Sequence, residues 1–270
     1  MTPRPVGGSH GVLLVGWLFG SLLIGFILAP LVGLAAAQSP GVLAAVAAMP
    51  DVREAIGVSL VGALLAAALA SAVGVPLAYV LARGSFRGQS ALAALIDLPL
   101  AVPHTVAGIA LLLVFGRRGM LGGPAEQLLG LRFWGSFAGV VVGMLYVSAP
   151  YAVNAARLGF EAVDPRLEQV ARTLGVGPWR ALATVTLPLA WRSVMIGVTL
   201  TFARAISEFA AVAILAYYPM TAPIKIYELF LQQGLGQSAA AALLLLVASL
   251  AVFLVFRLVA RGRVAAGIGR

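Results

Sequence analysis

Residues 164–188 read DPRLEQVARTLGVGPWRALATVTLP, the longest piece of the chain too polar for lipid, set between two long apolar runs. Asp164 before Pro165 is a helix start, because the carboxylate caps free N–H groups and proline's fixed φ suits the first helical position. The helix is expected to run to Leu174, where Gly175 can take the left-handed conformation that closes it. Gly177-Pro178 then opens a second helix that carries Trp179, Arg180, Leu182 and Val185 before Pro188. Two short helices meeting at a glycine hinge are expected. An ordinary amphipathic helix pair lying on a membrane surface has the same local pattern.

The rest of the chain sets the class. It is 61% hydrophobic and 10% charged, with a mean hydropathy of +1.04. So much apolar surface cannot be hidden in a water-soluble core, which makes this an all-α integral membrane protein. No cysteine is present, so disulfides and thiolate metal sites are excluded. Two histidines, His10 and His104, are too few for a metal cage. The net charge of +9 does not point to nucleic acid, since the arginines are not gathered on one solvated face.

Six spans are expected, at about residues 11–37, 56–82, 91–115, 135–156, 191–216 and 238–260, in a single transmembrane domain covering 1–270. A signal peptide is the competing reading of the first, because Ala35-Ala36-Ala37 resembles a cleavage site. Its apolar region exceeds the usual length, and the run is read as a retained span. Loops are assigned to 38–54, 116–133 and 217–237, the first with room for a short surface helix. Span 3 carries Pro99 and Pro103, which remove backbone donors and force a kink or unwinding over 97–105. Twelve of the eighteen basic residues fall on the side of both termini and of residues 157–190, five on the other, and Arg204 lies within a span. Both termini and the central segment are therefore read as cytoplasmic.

The central segment resembles the "EAA" coupling loop of ATP-binding-cassette (ABC) importer permeases: Glu-Ala-Ala, three residues, Gly, nine residues, Ile, one residue, Leu-Pro. Here the register falls on Gln169-Val170-Ala171, Gly175, Val185 and Leu187-Pro188. Gln169 and Val170 depart from the pattern. Glu168 stands one residue early, so whether the acidic group is displaced or lost is left open. The resemblance implies that Gln169, Val170, Ala171, Gly175, Trp179, Arg180, Leu187 and Pro188 couple to a partner ATPase, with the docking surface centred on 171–180, Gly175 as hinge and Trp179 or Arg180 seated in its cleft. It also implies two permease chains as a homodimer, two ATPase subunits that bring ATP and Mg2+, and an extracytoplasmic substrate-binding protein. The chain itself has no Walker A loop, because its one lysine, Lys225, precedes Ile226. Neither catalytic residues nor a cofactor of its own are expected.

Three further matches resemble molybdate and tungstate permeases: DLPLAVPHTVAGIALLLVF from Asp97, ARTLG from Ala171, and FAR-x-x-x-EF from Phe202. The resemblance implies an importer of molybdate or tungstate; related sulfate permeases share parts of all three, so sulfate or another oxyanion is the alternative. Pro103, His104, Thr105, Thr201, Arg204 and Glu208 are the candidate gate or pathway residues. Half-helix N-termini at the break can face an anion. Gly197, Thr201, Arg204 and Glu208 share one helical stripe. A charge at mid-bilayer costs about 2.5–3.5 kcal/mol, so Arg204 and Glu208 should face the bundle or water. Either they form a local ion pair that braces a gate, or Arg204 meets the substrate. His104 is read as a satisfied polar group or a ligand, and Asp97 is expected to pair with a basic group. An ATP-independent channel or carrier is the alternative from another class, although it has no use for a coupling helix pair.

Overall fold

Proline and glycine divide the chain into thirteen α-helices in the computed structural model, which describes residues 10–267. The chain termini, with Arg4 and Arg270 of the charge count, lie outside the described residues. Five of the helices are long and apolar enough to cross a membrane: α1 (His10–Ala36), α3 (Pro50–Arg83), α7 (Phe137–Glu161), Pro178–Ile206 and α13 (Leu235–Gly267). A sixth crossing is available if the bent pair α4 (Gln89–Ala101) and α5 (His104–Phe115) counts as one span. The short helices are α2 (Pro40–Ala48), α6 (Gly122–Leu129), α8 (Pro165–Thr173), α9 (Pro178–Ala181), α11 (Ala210–Leu215) and α12 (Ala222–Gln233), with α10 at Leu187–Ile206.

The centre is a packed trio, α3, α7 and α10. Helices in lipid gain little from burying apolar surface against one another, so close approach over small residues holds them. A Cβ at Gly74 would meet Val153, one at Gly159 would overlap Ser193, and one at Gly197 would press on Ala152 and Ala155. Two apolar clusters fill this trio. One gathers Ala63, Met144, Val147, Phe202 and Val212, and the other Leu81, Phe160, Val163 and Leu182. By contrast α1 presents Trp17, Phe19 and Phe26 outward and buries almost nothing, as a lipid-facing helix should. On another flank, Lys225 of α12 reaches Asp51 of α3 at 2.7 Å, and the Ala222 N–H donates to Ser59 Oγ at 2.7 Å.

Several boundaries differ from the sequence expectation, each for a physical reason. Asp97, Leu98 and Pro99 stay helical in α4, and the break is confined to extended Val102 and Pro103, where the chain turns by 111°. Pro99 is tolerated inside α4, whereas Val102, which precedes Pro103, is pushed to extended backbone. The second helix of the central segment does not stop before Pro188. It continues from α9 through a π turn, Leu182–Thr186, directly into α10. The widened turn, with Leu187 N donating to Leu182 O, carries the helix past Pro188, whose missing N–H would have broken a regular turn. Span 5 does not run on to residue 216. It ends at Ile206, and α11 restarts at Ala210. The presumed loops also hold α2, α6 and α12, and α3 begins at Pro50 rather than 56.

Replacing Gly159 by valine should force α7 away from α10 and cost about 1–3 kcal/mol, read as a lower unfolding temperature in detergent. Gly25→Val, where no atom lies near the added group, is expected to leave it unchanged.

Candidate functional site

Two buried carboxylates organise the polar chemistry of the bundle, one at each end of the α9–α10 helix. The first is Glu208, in the interruption between α10 and α11. A helix broken within lipid exposes N–H groups that must find partners inside the protein. Glu208 Oε1 accepts from Ala211 N at 2.9 Å and so caps the restarted helix. Its Oε2 takes Arg204 Nη2 at 2.6 Å. The Glu208 side chain is 2% exposed, that of Arg204 18%. Arg204 Nη2 also lies 2.7 Å from His104 Nε2, at the first residue of α5. A guanidinium only donates, so it can bond only to a ring nitrogen that carries no proton. His104 Nδ1 then stands 3.9 Å from Glu208 Oε2. The cluster joins the break in span 3 to the break in span 5.

The half-helices that follow these breaks pack on each other. Gly108 of α5 sits so close to α11 that a Cβ would come 3.0 Å from Ala211 Cα. Thr105 is exposed beside the cluster, and Pro103 is the extended residue that caps α5. Thr201 does not join them. It is buried, and its hydroxyl donates to Gly197 O at 2.8 Å. Asp97 has no basic partner among the described residues and instead accepts from Asn154 Nδ2 of α7 at 2.6 Å.

The second carboxylate is Glu168 on α8. It accepts from Tyr79 Oη at 2.7 Å, Arg83 Nε at 2.9 Å and Thr186 Oγ1 at 2.6 Å. Arg83 further donates to Val163 O at 2.8 Å. One buried side chain thus binds α8 to the end of α3 and to the π turn. The acidic residue one position before Gln169 is thus a buried, fully bonded group. Burial pushes the Glu168 carboxyl up, but donation from Thr186, Tyr79 and Arg83, with the charge of Arg83, outweighs it and leaves the pKa below the usual glutamate value. Its sequence partners lie too far apart to have been read as a set, and Arg83 was legible only as the end of a span.

Helix α8 closes on the glycine that the sequence marks, one residue short of the expected end at Leu174. Gly175 takes φ +83. Gly175 N donates to Arg172 O at 3.0 Å and Val176 N to Ala171 O at 3.1 Å, the pair of hydrogen bonds that closes a helix on a left-handed residue. Gln169, Val170, Trp179, Arg180 and Pro188 are exposed, while Ala171 and Leu187 are half-buried. Leu167, Val170, Leu174 and Trp179 make an apolar surface on this otherwise polar segment.

Glu168→Gln should loosen α8, raising its amide exchange about tenfold to a hundredfold, because a charged hydrogen-bond acceptor is lost among buried donors. Since the folded pKa is lowered, the stabilisation is complete above the ordinary glutamate range and is lost only as pH falls through the lowered value. Exchange in the unsubstituted protein should therefore stay slow on going from neutral to mildly acidic pH and rise only in stronger acid.

Solved ABC importers share this architecture. The chain superposes with a TM-score of 0.72 on a bacterial ABC transporter that imports the acidic polysaccharide alginate, at 16% identity over 93% of this chain and 96% of that one. The methionine transporter MetNI matches at 0.56, also at 16% identity, over 82% and 95%. Sequence relatives are nearer. The molybdate/tungstate transport system permease protein WtpB of Thermococcus kodakarensis is 43% identical over 240 residues, 88% of this chain and 92% of the relative. The molybdenum transport system permease protein ModB of Escherichia coli K12 is 37% identical over 203 residues, 74% and 88%. Residues 74–264 match the family of binding-protein-dependent transport system inner membrane components, and to that family of multi-pass membrane permeases the chain belongs.

Proposed function

We propose that this chain is the membrane-spanning subunit of an ATP-driven importer for molybdate or tungstate, acting as a homodimer. The observation that carries the reading is the match over 88% of the chain to permeases of that name. An external binding protein delivers the oxyanion, as the family description implies. Two partner ATPases, which hold ATP and Mg2+, engage the exposed faces of α8 and α9 around Leu167, Val170, Leu174, Trp179 and Arg180. Both termini and this segment face the cytoplasm.

The mechanism follows from how the segment is attached. α7 leads into α8, α8 is bound to α3 through Glu168 and Arg83, and α9 is one helical path with α10. When the ATPase pair closes, a pull on α8 and α9 therefore moves α3, α7 and α10 together. α10 spans about 26 Å from Leu187 to Arg204, so the motion reaches the Arg204–Glu208–His104 cluster as a rigid-body displacement. With the cluster of each protomer facing the dimer axis, the displacement opens or closes one narrow passage. Glu208 holds Arg204 in place, and Arg204 has its partial exposure available to an anion in transit.

Reconstitution tests the reading. Proteoliposomes holding the permease, its ATPase and the molybdate-loaded binding protein should take up molybdate only with ATP, with tungstate competing and sulfate failing to compete. Uptake by this chain alone, without ATP, would contradict it. In the same vesicles Arg204→Gln separates bracing from contact. If the pair only braces, either Arg204→Gln or Glu208→Gln alone lowers assembly by about 3–5 kcal/mol and the double substitution restores much of it. If Arg204 meets the anion, Arg204→Gln assembles and hydrolyses ATP but does not transport, and adding Glu208→Gln brings nothing back.

A further inference from the structure

At the far end of α5 from His104, the chain winds into a turn that admits no side chain where its glycines stand. Gly116 N donates to Leu112 O at 2.8 Å, Gly119 N to Gly116 O at 2.9 Å and Leu121 N to Val114 O at 2.9 Å. A Cβ on Gly119 would fall against the Val114 carbonyl, and one on Gly122 would overlap the Phe115 and Gly116 carbonyls. This closed backbone holds out two adjacent side chains, Arg117 and Arg118. Both are exposed, and neither has a hydrogen bond or ion pair with any described residue. Two of the other three cations assigned to the same side are engaged. Lys225 is held by Asp51 and Glu228 at 2.7 Å each, and Arg132 lies 4.6 Å over the ring of Trp134. Arg53, on the first turn of α3, is exposed.

We infer that the Arg117-Arg118 turn is a docking point for surface carboxylates of the external binding protein, and that α5 carries this engagement to the Arg204–Glu208–His104 cluster. The inference rests on the importer reading above. A guanidinium pairs with a carboxylate through two parallel N–H groups, and a rigid turn presents two of them at little entropic cost. Both arginines are exposed, so the turn suits a partner's surface and not the enclosure of a free oxyanion. Exposed Met120 and Leu121 flank it, and methionine and arginine are both residues that interfaces favour. The connection inward is continuous. α5 is twelve residues long, about 18 Å, without a break. Its first residue, His104, touches Arg204, and Gly108 touches Ala211, whose N–H is held by Glu208. A tilt of α5 thus reaches both members of the ion pair.

The test uses the full complex with its ATPase in nanodiscs, and as probe the molybdate-loaded binding protein that drives uptake by the unsubstituted transporter. R117E/R118E should bind it roughly tenfold or more weakly, since like charges then meet across the contact. Affinity of the unsubstituted complex should fall as salt rises, that of R117E/R118E should not, and R117K/R118K should keep most of the binding. Co-elution with the ATPase establishes that each variant is assembled. His104→Ala should dock normally yet lose most of the rise in ATP hydrolysis that docking triggers. Equal affinity of R117E/R118E and the unsubstituted complex overturns the inference. So does an effect that appears only when phosphatidylglycerol replaces phosphatidylcholine, which would place the arginines on headgroups. Full stimulation of His104→Ala overturns the role of α5. If the unsubstituted complex is not stimulated by any loaded binding protein, the importer reading fails and this inference with it.

Discussion

A helix interrupted inside a bilayer leaves N–H groups where no water can take them, and Glu208 answers that constraint at the restart of α11. The same carboxylate needs a counter-charge, because an unpaired one at that depth is costly, and Arg204 one turn back supplies it. Arg204 in turn reaches His104, the residue that opens α5 after the other interruption. Two broken spans are therefore joined by one chain of polar contacts. Removing Glu208 leaves the Ala211 N–H without its acceptor as well as removing a charge.

The opposite end of the same helical path has a parallel arrangement with a different purpose. Glu168 gathers donors from α3 and the π turn, so α8 cannot shift without α3 and α10. Between the two carboxylates the trio α3, α7 and α10 is packed over Gly74, Gly159 and Gly197, where backbones approach too closely to slide independently. Such a body is stiff along its length. In the mechanism we propose, a push on α8 and α9 is carried to the cluster at Arg204 because few places between them can absorb it. The segment's exposed apolar residues, Val170, Leu174 and Trp179, are left without cover in the single chain, which fits a surface made for a partner.

Much of this was legible in the sequence where local chemistry decides the outcome. Asp164-Pro165, Gly175 and Gly177-Pro178 mark helix ends by rules that act within a few residues, and both helix starts and the left-handed Gly175 stand where those rules put them. Pro99 and Pro103 announced a break, though only the second proline makes one. The break after Ile206 carried no such signal: residues 207–209 are Ser-Glu-Phe, with neither proline nor glycine, and the interruption depends on a carboxylate that bonds forward to Ala211. Thr201 and Arg204 do share α10, three residues apart, but Thr201 is buried and bonded within its own helix. The Glu168 set was invisible because Tyr79, Arg83 and Thr186 are brought to it only by the packing of α3 and α10.

The ion cluster and the close packing at Gly108 tie α5 and α11 into one unit. The chain has no cysteine, so a spin label can be placed cleanly at Leu113 of α5 and another at Tyr218 beyond α11, both exposed. With the pair introduced into one protomer of the assembled transporter, the distance between labels should be measured by pulsed electron resonance with and without ATP. A separation that stays constant between the two conditions is the predicted result. A separation that changes with nucleotide would show that the half-helices move apart, and would contradict the claim that Arg204, Glu208 and His104 lock the two breaks together.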